Sequence, residues 1–177
     1  FLKIAQKRKI PIDNDITLFF REYGVENVIG VTGTRGKSTT ASLIYEMARR
    51  QYPGARLGGN IGESPLQWLN IGVSLRATCL PDRQERSNPV VLELSSFQLH
   101  NLDTIKISPH IAVWTNFYPD HLNKYPMLED YKKDKEKIFQ YQKKGDIAVL
   151  NWDDPSCHPE SRHQSRRRIP YLSTILW

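Results

Sequence analysis

Cysteine is nearly absent. There are two residues of it, Cys79 and Cys157, in 177, too far apart in sequence to match a metal-ligand spacing. Two such thiols make no disulfide framework and read as reduced thiols of a cytoplasmic protein. No apolar run approaches the ~20 residues that a membrane-spanning helix needs, which excludes insertion by that route. The opening FLKIAQKRKIP has neither the apolar core nor the small-residue cleavage site of a signal peptide, and no initiator methionine precedes it, so the chain reads as a fragment. No internal repeat is found. The net charge is +6, but the densest basic run, SRHQSRRR at 161–168, has no aromatic residue interleaved. A nucleic-acid site would want stacking partners or a shaped basic groove, so this run reads as solvated surface and no nucleic-acid partner is expected. An anionic small substrate is the other source of a basic excess.

What is present suits one domain with a substantial core: 39% hydrophobic and 25% charged residues. Buried strands are expected over Asn27–Thr32, Pro89–Ser95, His110–Asn116 and Gly145–Asn151, with a short one near Arg56–Gly58. Helices are expected in LKIAQKRKI and ITLFFREY. Further helices are expected from Thr39 to about Arg50, with Leu43 and Met47 on one face, weakly in PLQWLNIGVSL, and over Met127–Gln142. No element is assigned after Ser156. Strands alternating with helices predict an α/β fold of the P-loop type, a mostly parallel sheet with helices on both faces. Ligands of such sheets gather at the carboxyl ends of the strands, and the polar clusters Gly33–Thr39, Glu93–Gln98, Asn116–His121 and Asn151–Asp154 all fall there.

The first cluster, TGTRGKST at 32–39, lacks one glycine of the usual P-loop, since Val31 stands five residues before the Gly-Lys. It still has the parts of a phosphate cradle. Gly33 and Gly36 let backbone amides turn toward an anion, and the helix that follows adds its positive end. Lys37 supplies a point charge for terminal phosphates, and the Ser38 hydroxyl a ligand for Mg²⁺, with Thr39 beside it. Glu93 interrupts a buried run. It needs a cation, which is either Mg²⁺ at the strand end or a Lys or Arg at the rim. His121 next to Asp120 reads as a metal ligand, a base or part of a capping pair. At 100° per residue, Leu128, Tyr131, Lys135, Ile138 and Phe139 share one helix face, while Lys132, Lys133, Glu136 and Lys137 point elsewhere. Lys135 amid that apolar stripe either snorkels to water or has a shifted pKa and chemical work to do.

Together these segments resemble the Mur ligases, ATP-dependent amide ligases of peptidoglycan precursor synthesis whose shortened loop is TGTxGK[ST]. LELSSFQL at 92–99 is similar to the D-glutamate-adding members. GGNIG at 58–62, PDHLNKYP at 119–126, YKKDKEKIF at 131–139 and LNWDDP at 150–155 fit the same members in the same order. The resemblance covers roughly 12–155. It implies a cytoplasmic, monomeric enzyme of cell wall synthesis that uses ATP and Mg²⁺. ATP phosphorylates the carboxylate of UDP-N-acetylmuramoyl-L-alanine, and the amine of D-glutamate attacks the acyl phosphate. Residue by residue, it implies that Gly33, Thr34, Arg35, Gly36, Lys37, Ser38 and Thr39 hold the ATP phosphates. Ser38, Glu93, His121 and Lys135 hold metal, Lys135 as a carbamate. Asn60 and Ser95 contact the UDP-sugar, and Lys37, His121 and Lys135 are catalytic. Arg35 departs from the Asn common at its position. The implied division is 1–24 as the end of an N-terminal domain and linker, and 25–177 as a central ATP-binding domain incomplete at its carboxyl end. Alternatives are another Mur-type or folylpolyglutamate-synthase-like ligase, a P-loop ATPase acting on nucleic acid, or a non-catalytic nucleotide-binding fragment.

Overall fold

The computed structural model describes residues 2–10, 12–69, 88–158 and 173–176. A short helix α1 (Leu2–Lys7) and a helix α2 (Asp15–Tyr23) lead into strand β1 (Val28–Thr32). Then come α3 (Lys37–Gln51), β2 (Arg56–Gly59), a 3-10 turn Pro65–Trp68, β3 (Val90–Glu93), and two small helices α4 (Ser96–His100) and α5 (Leu102–Ile105). The chain continues through β4 (Ile111–Trp114), α6 (Leu128–Gln140), β5 (Ile147–Leu150), a 3-10 turn Pro155–Cys157 and β6 (Ser173–Leu176). The six strands are all parallel, in the order β2-β3-β1-β4-β5-β6. The predicted strands are found where the apolar runs are, each trimmed by a residue or two at its ends. The short candidate at Arg56 is real, and β6 is an addition.

Register matters more than strand count. Glu93 is opposite both Val31 and Gly59, and Thr32 is opposite Trp114, which is opposite Leu150. The carboxyl ends of five strands are therefore level, and the segments following β1, β2, β3, β4 and β5 leave from one edge.

Alternation along the strands divides the core in two. Val28, Leu92, Ala112, Trp114, Ala148 and Leu150 face α2, α4, α5 and α6 and make the larger cluster with Phe19, Phe20, Leu99, Tyr131 and Ile138. Val31, Val91 and Val113 face α3, of which only Ala41 is fully buried, with Ile44 and Tyr45 packed at its edge. The expected apolar face through Leu43 and Met47 is instead exposed, at 59% and 64%. The phase of α3 is set by its start in the phosphate loop, which turns the small Ala41 onto the strands. The basic run 161–168, Cys79 and most of PLQWLNIGVSL lie outside the described residues.

Helix α2 follows from local sequence. Asn14 accepts from the Thr17 amide at 2.9 Å, while the Thr17 hydroxyl accepts from the Asn14 amide at 3.0 Å, a reciprocal cap. Its apolar stripe of Ile16, Phe19, Phe20 and Tyr23 then enters the main core, so this helix packs as part of the sheet layer. Phe19 is fully buried, stacked on Tyr23 at 4.7 Å and edge-on to Trp68 at 6.0 Å. Phe19→Ala should lower the unfolding free energy by about 3–5 kcal/mol in denaturant titration, the usual cost of truncating a buried Phe. An unchanged midpoint would show that α2 is not integral to the core.

Candidate active site

The phosphate loop is held open by neighbours that bind its outer surface. Gly33, at φ 155, lies so close to Thr115 that a Cβ there would meet the Thr115 hydroxyl at 2.0 Å. Gly36 is glycine for a different reason. Nothing lies within 4 Å of its Cβ direction, but its φ of 74 is left-handed, and it is the residue from which α3 starts. Helices α2 and α4 are capped by Asn14 and Ser95, whereas no side chain caps α3. The amides of its first turn have no intrahelical acceptor by construction, and they carry the positive end of a 15-residue helix. An anion at this end would accept from them. Lys37 is folded back, its Nζ donating to Thr34 O at 3.0 Å, one swing away from that end. Ser38 and Thr39 are exposed in the same turn.

Glu93 ends β3 at 2% exposure. Its Oε1 accepts from Asn60 Nδ2 at 3.1 Å, and Asn60 is itself tied by its amide to Glu93 O at 2.8 Å. Its Oε2 is buried with no hydrogen-bond partner among the described residues. The rim alternative, a Lys or Arg paired to Glu93, is not what the structure has: the partner is a neutral amide. A buried carboxylate oxygen left open is a donor atom suited to a hard cation such as Mg²⁺. Ser95, two residues on, has its hydroxyl engaged in the α4 cap with Gln98, at 3.0 and 3.3 Å. Nothing in that arrangement singles it out for a substrate.

Lys135 is 1% exposed, the fifth largest of the fully buried side chains, so the helical phase is right and snorkelling is excluded. Its Nζ donates to Gly33 O at 2.6 Å, reaches the Thr32 hydroxyl at 3.5 Å, and lies 4.8 Å from the centroid of the Tyr131 ring. Burial pushes its pKa down to about 7, and the nearby Lys37 charge adds to the effect. Asp120 and Glu93 pull it back upward. His121 packs edge-on against the same Tyr131 ring at 5.8 Å and against Phe97 at 5.5 Å. It is in a left-handed conformation, φ 55, with its side chain 45% exposed. The predicted residues thus divide into the loop, Glu93 with Asn60, and Lys135 with His121 across Tyr131, all at the carboxyl edge. No three His, Cys, Asp or Glu side chains cluster among the described residues. A metal here would complete its sphere with Ser38, phosphate oxygens, water, or a carboxylate created on Lys135.

Two features escaped sequence reasoning. Asn116 binds the loop: its Oδ1 accepts from the Thr34 and Arg35 amides at 3.2 and 2.9 Å, and its Nδ2 donates to Arg35 O at 3.0 Å. A polar residue immediately after β4 was the available signal. On α6, Glu136 and Lys137, expected off the apolar stripe, are nevertheless buried at 6% exposure, as is Asp134. Asp134 accepts from Lys137 at 2.8 Å and Tyr125 at 3.0 Å, and pairs with His100 at 3.0 Å, while Lys137 also reaches His100 O at 2.9 Å and Asp103 at 2.6 Å. The helices α4 and α5 cover this side of α6, so polar groups there are enclosed and satisfied by one another. A groove of about 670 Å³ opens over this network, between Phe97, Lys124 and Lys133, away from the loop.

A family model described as the Mur ligase middle domain matches residues 31–172. The UDP-N-acetylmuramoylalanine–D-glutamate ligase of Borreliella burgdorferi is 38% identical over 173 residues, 98% of this chain and 34% of that protein. Enzymes of the same name from Roseiflexus and Thermosipho melanesiensis are 39% and 37% identical over 88% and 96% of the chain. The chain spans about a third of the length of these curated relatives. Among solved structures, the MurF ligase of Thermotoga maritima in complex with ADP superposes with a TM-score of 0.59 at 25% identity. It covers 92% of this chain and 35% of that one. A UDP-N-acetylmuramoyl-L-alanyl-D-glutamate–2,6-diaminopimelate ligase at 24% identity, over 90% of this chain and 34% of that one, shares the fold, with a TM-score of 0.54. No helix among the described residues is long and apolar enough to cross a membrane.

The depressed pKa of Lys135 has a measurable consequence. An unfolded lysine holds its proton to about pH 10.4, whereas here it is released near pH 7. Between those values the unfolded chain binds more protons, so this residue makes the fold gain stability as pH rises from about 7 toward 10. In ¹³C-lysine NMR one Cε resonance should titrate near pH 7 and vanish in Lys135→Met, which should also flatten the stability rise over that window. A Lys135 resonance titrating above pH 10 would refute the assignment.

Proposed function

Because this chain belongs to the Mur ligase family and carries its middle domain, we propose that it is the ATP-binding part of an enzyme joining D-glutamate to UDP-N-acetylmuramoyl-L-alanine. The observation that carries this reading is the meeting of the phosphate loop, the open oxygen of buried Glu93 and the buried amine of Lys135 at one strand edge. The names of the relatives support D-glutamate as the acceptor, and the ADP-bound neighbour supports the nucleotide.

On this reading the γ-phosphoryl group of ATP passes to the substrate carboxylate, giving an acyl phosphate and ADP. The D-glutamate amine then attacks the acyl carbon, phosphate leaves, and an amide bond forms. Two anions must approach each other in the first step, and this chain supplies what opposes their repulsion. The first-turn amides of α3 bind phosphate oxygens. Lys37 leaves Thr34 O and places its charge on the terminal phosphate. Ser38 and Glu93 would hold Mg²⁺, with His121 and Lys135 on the far side of the same edge. That ion would neutralise charge on the phosphates. Asn60 fixes the Glu93 carboxylate through Oε1, leaving Oε2 for the ion. Lys135 would act as a carbamate. An amine with a pKa near 7 is about half unprotonated at neutral pH, and that fraction is free to add CO₂; the product is a carboxylate where a buried ammonium was costly.

Two tests follow, both in a full-length ligase carrying this chain. Lys37→Ala should reduce acyl-phosphate formation by at least about 10³-fold, the scale of losing a phosphate-stabilising cation. Near-normal turnover would remove the loop from the mechanism. Lys135→Ala should abolish activity, and short carboxylic acids should restore part of it by standing in for the carbamate. Lys133→Ala, at an exposed site, should change little. A silent Lys135→Ala, or equal losses in both variants, would exclude the carbamate.

A further inference from the structure

We infer that Asn116 is the positioning residue that gives the phosphate loop its binding shape and ties that shape to the His121 segment. The inference rests on the ligase reading of the site. An anion nest needs its N–H groups turned inward and its carbonyls turned away. Here each of the three loop carbonyls has an outside donor. Gly33 O takes the Lys135 amine at 2.6 Å, Thr34 O takes the Lys37 amine at 3.0 Å, and Arg35 O takes Asn116 Nδ2 at 3.0 Å and the Thr115 hydroxyl at 2.9 Å. The two lysine contacts are temporary in the proposed reaction, since Lys37 must swing to the phosphate and Lys135 changes its charge. Asn116 and Thr115 are not required to move.

Asn116 does more than Thr115. Its carboxamide accepts two loop amides on one side and donates to a loop carbonyl on the other, so only one orientation of the amide satisfies all three partners; the Thr34 amide is shared with the Asn116 main-chain carbonyl at 3.1 Å. That also removes the Thr34 and Arg35 amides from the pool facing the ligand. The cradle therefore starts at Gly36 and consists of the first turn of α3, which is why a loop one glycine short still works. The backbone of Asn116 is fixed from the core, because the indole of fully buried Trp114 donates to its main-chain carbonyl at 3.0 Å. Downstream, the Phe117 amide donates to Asp154 at 2.7 Å, and Tyr118 exchanges hydrogen bonds with the Thr34 hydroxyl at 3.0 and 3.1 Å. The segment running from Asn116 toward His121 is thus stitched to the loop, and a displacement of one moves the other.

The test compares two carboxamides at opposite ends of the sheet. Gln142 holds the carbonyls of Pro109, His110 and Ile147 at the amino edge, at 3.0, 3.3 and 2.9 Å, and touches nothing in the site. In a full-length ligase carrying this chain, Asn116→Ala should raise the KM for ATP and the Kd for ADP by on the order of tenfold, from the loss of both carboxamide bonds to Arg35 while Thr34 keeps its main-chain tie. The KM for the UDP-linked substrate should stay within about twofold of the parent value. Gln142→Ala, at an equal or larger loss in Tm, should leave nucleotide binding unchanged. Asn116→Ser, which removes the same reach but keeps a polar side chain, should behave like Asn116→Ala and serves if that variant does not fold. Nucleotide affinity unaltered in the Asn116 variants, or altered only in proportion to Tm as in Gln142→Ala, overturns the inference. A parent enzyme that binds neither ATP nor ADP overturns the ligase reading itself, so the two failures are distinguishable.

Discussion

The contact between the Lys135 amine and Gly33 O, 2.6 Å long and closed to solvent, is the interaction on which the site depends. A lysine ammonium taken out of water is costly, and a single carbonyl and the face of Tyr131 do not replace its hydration. The fold tolerates this because the position of α6 is over-determined. One turn either side of Lys135, Tyr131 and Ile138 are buried in the main core, and beside it Asp134 and Lys137 are bound to α4 and α5. The helix can neither rotate nor slide to release the amine. The strain is answered chemically, by a pKa lowered to about 7.

That neutralisation matters because positive charge is otherwise concentrated at this edge. Lys37 and the positive amino end of α3 lie at this edge, and a permanent charge on Lys135 would oppose Lys37. Glu93 has the complementary problem, a buried carboxylate with one oxygen unmatched. The protein's own groups fully satisfy neither residue. A divalent cation relieves Glu93, and loss of a proton or gain of CO₂ relieves Lys135. On the proposed reading, the groups the protein leaves poorly satisfied at this edge are the ones the reaction would use.

How much of this the sequence revealed depends on the range of the physics involved. Strands β1, β3, β4 and β5 and the loop were legible because β-branched runs bounded by turn residues encode themselves locally. So was the burial of Lys135, a matter of helical period. Strand β6 was not, since no turn residue adjoins Ser173–Leu176 to bound it, its neighbours being Leu172 and Trp177. Helices α4 and α5 are five and four residues long, too short to show a period, and α4 is declared only by its Ser95–Gln98 cap. Their presence is also why the burial of Asp134, Glu136 and Lys137 could not be read from the helical period. A helical wheel treats α6 as having one covered side, while a second layer covers another. Leu43 and Met47 failed for the converse reason, since the loop rather than the apolar pattern fixes the phase of α3. The role of Asn116 required knowing that Thr32 pairs with Trp114, an 82-residue separation that only the sheet register reveals.

The same contact bears on whether Lys135 can be both anchor and carbamate. Adding CO₂ to the amine replaces one N–H with an N–C bond, and the nitrogen keeps a single hydrogen. One donor is enough for Gly33 O, so the loop need not lose its tie when the modification forms. The new carboxylate extends beyond Nζ. The surroundings of Nζ favour that direction only if a cation is there to meet it, because Asp120 and Glu93 already contribute negative charge around the amine. A carbamate without metal would place a third anion among them, and a metal without the carbamate would lack a full set of protein oxygens, given that no three acidic or imidazole side chains converge among the described residues. On the proposed ligase reading, modification and metal binding would thereby depend on each other, with the buried lysine as the residue at which the two are coupled.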